Sequence, residues 1–333
     1  MSKLITNKIC PELVAFIRNA QSIALCAHVN PDGDTVGSVL GLRLGLLQLG
    51  KRVRVFCQDK LPDLLEDLPG FDCAEDTLEE GTRFDLVLPL DISNDYRMGT
   101  LKGLLERGDH TALVDHHGTN PGYCEVNVID GDAPANCLLI YGLLRQLGVT
   151  VTADIACCLY AGISTDTGNF AFGSTNAEAF RVTSELMATG FPMAELNRKL
   201  FRARDKAQLL LIRQALNTLR FAHDDRIACM TLTRQDFIDC GALEEHADTV
   251  VNFGMDLKRS RMAVLLRETA DGRIKLSLRS IAPWRVDGLA NELGGGGHNQ
   301  AAGATMEGSL QECADRVIAM MDRYLTENEE ALR

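Results

Sequence analysis

The feature that most constrains this chain is a set of short apolar segments that each stop at an acid or a histidine. Ser22 to Ala27 runs into His28-Val-Asn-Pro-Asp32-Gly-Asp34, Phe84 to Leu90 stops at Asp91, and Thr111 to Val114 runs into Asp115-His116-His117. Between them, Thr35 to Leu49 carries Val36, Val39, Leu40, Leu44 and Leu47 at helical spacing before Gly50, and Arg52 to Cys57 alternates as a strand. Asn136 to Leu147 and Asp154 to Gly162 read as helices. Alternation of this kind predicts the α/β class, with a mostly parallel sheet covered on both faces. In such sheets ligands bind beyond the carboxyl ends of the strands, where the three clusters fall.

A length of 333 residues exceeds what one core usually supports. The composition shifts near Gly190-Phe191-Pro192, and Met193 to Phe221 is a long, charge-rich helical stretch. The expected organisation is an α/β domain over 1–190, a helical connector over 191–222 and a smaller α/β domain over 223–333. In the last, Arg226–Thr233 reads as a strand and Glu244–Phe253 as a helix. Arg261–Glu268 and Arg273–Arg279 form a hairpin around Asp271-Gly272, Gly294–Gly297 a glycine loop, and Ser309 caps a final helix to Tyr324.

The chain is 46% hydrophobic, as a globular protein is, and its formal charge of −12 argues against a protein that coats long nucleic acid. A small anionic substrate is still admitted, because metal ions and a few arginines make a local positive site. The 11 cysteines include no Cys-x-x-Cys pair, which argues against a disulfide framework or a zinc–sulfur site. Cys157-Cys158 reads as helix packing. No apolar run is long enough for a membrane span and no signal-peptide region is evident, so a cytoplasmic location is expected.

Alone, an Asp-x-Asp is usually a turn or helix cap, a His-His pair is usually surface or satisfied core, and Asp166 (Gly-Ile-Ser-Thr-Asp-Thr-Gly) caps a turn. Together at strand ends they offer two imidazoles and four carboxylates for a pair of divalent cations. That ligand chemistry favours manganese, with magnesium or cobalt as alternatives, and a paired-metal site points to phosphate-ester hydrolysis.

These motifs resemble those of the DHH phosphoesterases that carry a DHHA1 domain. His28 to Asp34 is similar to the family's first motif, Asp91 to its second, Asp115-His116-His117 to its third and Asp166 to its fourth. Gly294-Gly-Gly-Gly-His-Asn-Gln-Ala-Ala-Gly303 resembles the DHHA1 glycine-histidine signature. The likeness covers nearly the whole chain and is greatest to the nano-RNase/pAp-phosphatase group, which cleaves very short RNA and 3′-phosphoadenosine 5′-phosphate (pAp).

The resemblance implies that His28, Asp32 and Asp91 hold one ion, and that Asp34, Asp91, His116 and Asp166 hold the other, with Asp91 shared. It implies that His117 touches the scissile phosphate and that Asp115 orients an imidazole. On the substrate side it implies that Arg279 clamps a phosphate, supported by Ser277, with Gly295, Gly296, Gly297 and His298 donating to an anion. Arg97, Phe170, Phe172 and a base-stacking Trp284 are lesser candidates. Rival readings are a cyclic- or linear-dinucleotide phosphodiesterase and, in a different class, a non-catalytic nucleotide sensor. A homodimer is the default oligomer.

Overall fold

The computed structural model describes residues 8–328, apart from the side chain of His298. A break between Ala203 and Arg204 divides the chain into two compact units.

The first unit contains α1 (Pro11–Asn19), β1 (Ser22–Cys26), α2 (Gly33–Gln48), β2 (Arg52–Phe56), β3 (Ala74–Glu75), β4 (Phe84–Pro89), β5 (Gly108–Asp115) and β6 (Val126–Ile129). These are followed by α3 (Asn136–Leu147), α4 (Ala153–Asp166), α5 (Ala177–Met187) and α6 (Met193–Phe201). Its sheet runs β3-β2-β1-β4-β5-β6, and every neighbouring pair is parallel. The α/β expectation for this half holds. From β1 the sheet grows first toward β3 and then, from β4, in the opposite direction. The strand order therefore reverses between β1 and β4, which opens a crevice at their carboxyl ends. His28 follows β1 and Asp91 follows β4.

Helix α2 is buried along most of its length, including Val36, Val39, Leu40, Leu42 and Leu46. Gly33, Gly37, Gly41 and Gly45 recur every fourth residue on it and face α4 or α3. A methyl group at Gly37 would lie 2.4 Å from the Cys158 carbonyl oxygen, so α4 approaches closer than any side chain permits. This contact brings the start of α2 beside the end of α4, and hence Asp34 beside Asp166.

The second unit contains α7 (Lys206–Asn217), β7 (Arg220–Ala222), β8 (Ile227–Leu232), α8 (Arg234–Cys240), β9 (Met262–Glu268), β10 (Ile274–Ser280), α9 (Asp287–Glu292), β11 (Gly296–His298), β12 (Ala301–Met306) and α10 (Leu310–Asn328). Its sheet runs β11-β12-β10-β9-β8-β7 and is antiparallel except between β8 and β9. Val317, Met321 and Leu325 of α10 pack on one face with Val264, Leu276 and Leu278. Leu211 and Ile212 of α7 pack with Phe237, Val250 and Leu265 in a separate core. The Arg273–Arg279 hairpin strand forms as expected, with Gly272 at φ +78° in the turn.

Three local expectations are corrected. Met193–Phe221 is not one long helix but α6, α7 and the start of β7. Leu196 and Leu200 of α6 enter the first unit's core, and Leu211 of α7 enters a core of the second. Glu244–Phe253 forms two short 3₁₀ turns, Glu244–Ala247 and Val250–Gly254, rather than a helix. The β-branched pair Val250 and Val251 is poorly suited to a helix and is drawn into the core instead. The glycine segment is not a free loop, because Gly296 to His298 pair with β12.

Candidate metal centre

The His28–Asp34 segment is folded by its own hydrogen bonds. Asp32 caps α2, with Oδ1 accepting the amides of Asp34 at 3.0 Å and Thr35 at 3.1 Å. Its other oxygen, Oδ2, lies 3.5 Å from Nε2 of His28. Burial alone would raise the Asp32 carboxyl, but His28 and the two amides outweigh it and hold it at about 2. Thr35 donates its hydroxyl to the Leu90 carbonyl at 3.1 Å, which ties this segment to the end of β4.

Asp34 points into the protein and is fully buried. It accepts the backbone N–H groups of Asn136 and Cys137, the latter at 2.9 Å. These are first-turn amides of α3, where a helix has unpaired donors and a partial positive charge.

Asp91, two residues beyond β4, takes a left-handed conformation, φ +60°, which is uncommon for a residue with a Cβ. Its amide donates to the Val114 carbonyl at 3.0 Å. This turn aims the carboxylate across the crevice. Oδ2 lies 3.8 Å from Nε2 of His28, and Oδ1 lies 3.3 Å from Nε2 of His116. Oδ1 is buried and accepts no hydrogen bond of proper geometry, despite that short separation.

His116 follows β5. Its Nδ1 lies 3.0 Å from the Ala133 carbonyl, so Nδ1–H donates there and Nε2 is turned toward the carboxylates. That nitrogen faces Asp91, Asp166 at 3.3 Å and Asp34 at 3.8 Å. His117 is engaged differently, its Nδ1 donating to Asp115 Oδ1 at 2.8 Å. Asp115 is fully buried, and its Oδ2 accepts Asn120 Nδ2 at 2.6 Å. Burial would raise Asp115, but His117 and Asn120 outweigh it and hold it below the usual carboxylate range.

Three overlapping groups thus have ligand atoms within 4.8 Å of one another: His28–Asp32–Asp91, Asp34–His116–Asp166 and Asp91–His116–His117. In the third, the His117 nitrogen 3.6 Å from Asp91 is the one already bonded to Asp115. All six residues expected as metal ligands come together.

The electrostatics fit divalent cations. Burial, then Asp91, pushes the Asp34 carboxyl up to about 7. Burial, then Asp34 and Asp91, pushes Asp166 up to about 9. Burial would lower His116, but Asp91, Asp34 and Asp166 push it up to about 11. Buried carboxylates converge here on one imidazole, and their mutual repulsion favours the protonated forms. Divalent cations would relieve that repulsion, and the oxygen and imidazole donors suit such ions.

The family model for the N-terminal domain of the DHH family matches residues 22–163, and that for the DHHA1 domain matches residues 227–327. A Thermus thermophilus protein described as bifunctional oligoribonuclease and PAP phosphatase NrnA is 35% identical over 305 residues, covering 91% of this chain and 90% of its own. The chain belongs to the DHH–DHHA1 family, in its NrnA-like group. A Bacillus subtilis protein of the same description is 27% identical, with 96% of this chain and 99% of its own covered. A crystal structure of an exopolyphosphatase-related protein from Bacteroides fragilis superimposes with a TM-score of 0.87 at 26% identity, covering 96% of both chains.

In the DHHA1 unit, Arg279 lies on β10 opposite Ala263 and Ala301, and its Nη1 donates to the Leu278 carbonyl at 3.0 Å. No carboxylate among the described residues lies within ion-pair distance of it, and burial holds its pKa below the usual arginine value. Ser277 sits two residues before it, opposite Gly303. Glycine at 295 and 297 is accounted for by packing: a Cβ would lie 2.0 Å from the Gly303 carbonyl oxygen and 2.5 Å from the Ala302 Cα, respectively. The side chain of His298 lies outside the described residues. Trp284 is a core residue beside Val286 and Leu289, not an exposed stacking platform. Phe170 packs against Phe180 and Tyr160, whereas Phe172 is exposed.

Several supporting groups were missed from sequence: the Ala133 carbonyl, Asn120, and the amides of Asn136 and Cys137. Only the last pair left a signal, since they open a helix that the periodicity located and helix starts attract carboxylates.

Proposed function

We propose that this chain hydrolyses phosphoesters in short oligoribonucleotides and the 3′-phosphate of pAp, with two divalent cations, Mn²⁺ as the leading choice. The observation that carries this reading is Asp91, whose two oxygens face the imidazoles of His28 and His116 separately. His28, Asp32 and Asp91 are assigned to one cation, and Asp34, Asp91, His116 and Asp166 to the other. Such cations supply positive charge to phosphate oxygens and lower the pKa of an attacking water.

The protein groups act around them. When Nε2 is the ligand atom, Nδ1–H of His28 donates to the Val29 carbonyl and that of His116 to the Ala133 carbonyl, at 2.9 and 3.0 Å. Asp115 holds the ring of His117 so that Nε2 is directed away from it, available to donate to the scissile phosphate or its leaving oxygen. Arg279, with Ser277, Gly295, Gly296, Gly297 and His298, is assigned to the substrate's other phosphate. The printed names of the Thermus and Bacillus relatives support both substrates.

The test is phosphate release from pAp and nucleotide release from RNA dimers to pentamers, with Mn²⁺ and with chelator. Turnover of both substrates only with metal is expected. Cleavage of a cyclic dinucleotide in preference to both, or binding without turnover, would refute it.

A further inference from the structure

Arg97 stands at the rim of the metal centre, beside His28. Its Nη2 lies 3.1 Å from Nδ1 of His28. Among the described residues no carboxylate is within ion-pair distance of it, and the nearby acids are engaged elsewhere. Asp95 pairs with Lys102 at 2.7 Å, and Asp59 accepts the amide of Asn30 at 2.7 Å.

The backbone around Arg97 is fixed to the metal motif. Its carbonyl accepts the Val29 amide at 2.8 Å, and its own amide donates to the Asn94 side chain at 3.2 Å. Met98 beside it is fully buried. At Gly99, φ +61°, a Cβ would lie 2.1 Å from Oε1 of Gln58, which itself accepts the Thr100 amide at 2.7 Å. A half-buried guanidinium is thus held beside His28 by a rigid turn.

The decisive point is that one ring nitrogen has two neighbours. Nδ1 of His28 is 2.9 Å from the Val29 carbonyl and 3.1 Å from Arg97. A carbonyl needs Nδ1 to carry hydrogen, whereas a guanidinium needs it to carry a lone pair, so only one of the two contacts is a hydrogen bond. When Nε2 serves as a ligand, the hydrogen resides on Nδ1 and goes to Val29. Among the described residues, Arg97 then has its donors and no acceptor.

We propose that Arg97 is a phosphate-binding residue whose guanidinium is released to the substrate phosphate when His28 is loaded with metal. The inference rests on the phosphoesterase reading for its ligand, and its chemistry is that of a fork of N–H donors meeting two phosphate oxygens. It couples the two events: cation binding frees the arginine, and the arginine favours a phosphate only at a loaded site.

The probe is inorganic phosphate, titrated calorimetrically into full-length protein with and without Mn²⁺. Wild type is expected to bind phosphate more tightly when loaded. Arg97→Ala should weaken binding to the loaded protein about tenfold or more, with Mn²⁺ stoichiometry and melting temperature kept. Arg97→Lys should recover only part of the loss, since an ammonium lacks the fork. Unchanged phosphate affinity in Arg97→Ala would overturn the proposal, as would a drop in Mn²⁺ stoichiometry, which marks a purely structural role. If wild type binds phosphate in this pattern yet cleaves neither pAp nor short RNA, the proposed substrates fail while the arginine assignment stands.

Discussion

The Asp34 carboxylate, on the first turn of α2, accepts the backbone N–H of Cys137 at the start of α3, at 2.9 Å. A residue assigned to hold a cation is therefore also the link between two helix beginnings. Asp34→Asn keeps one acceptor oxygen for these amides but loses the charge. It is expected to bind one Mn²⁺ rather than two and to lose at least about 10²-fold in kcat, with its far-UV spectrum intact. Mass spectrometry under native conditions and the pAp assay check both.

The glycine stripe on α2 places Asp34 relative to Asp166. Gly37→Ala forces a Cβ toward the Cys158 carbonyl, 2.4 Å away. It should destabilise the protein by about 1–3 kcal/mol and weaken Mn²⁺ binding, although residue 37 touches no ligand. Thermal unfolding and calorimetry read the two effects. A variant with wild-type metal affinity would show that this helix contact does not shape the site.

The raised carboxyls set a pH dependence. Asp34, at about 7, and Asp166, at about 9, lie above the unfolded aspartate value, and His116, at about 11, lies above the unfolded histidine value. In each case the folded state holds the proton longer, so stability is fully present below the unfolded pKa and is lost as pH rises through the folded one. Metal-free protein should lose melting temperature from about pH 5 to pH 9, and Mn²⁺ should remove most of that slope by displacing the protons. Melting curves across this range, with chelator and with Mn²⁺, test it. A rise in melting temperature with pH in chelator would contradict it.

Asp115→Ala leaves the six proposed ligands in place and removes the acceptor that holds the ring of His117. Two bound Mn²⁺ ions and a kcat lowered roughly 10²-fold are expected. Loss of a metal ion instead would move His117 into the ligand set.

Much of the first unit was legible because buried strands and their polar ends are written in adjacent residues. Asn136–Leu147 forms over the expected residues, and His28, Asp91 and His116 sit at strand ends as read. What was not legible depends on contacts distant in sequence. The left-handed turn at Asp91 carries no glycine to announce it. The glycine repeat on α2 is meaningful only once α4 lies against it. Val126–Ile129 is a four-residue edge strand too short for a pattern. The helical run after residue 192 was one pattern in sequence but serves two cores, because Leu196 and Leu211 bury on different units. The glycines at 295 and 297 looked like an anion loop, and strand packing also demands them.

The proposed function requires Asp91 as a carboxylate shared by two cations. A crystal structure of Mn²⁺-soaked protein, with anomalous maps at the manganese edge, tests this most directly. The expected result is two peaks about 3.5–4 Å apart, one beside His28 and Asp32, the other beside Asp34, His116 and Asp166, with Asp91 touching both. A single peak, or two peaks with Asp91 bound to neither or only one, would contradict it.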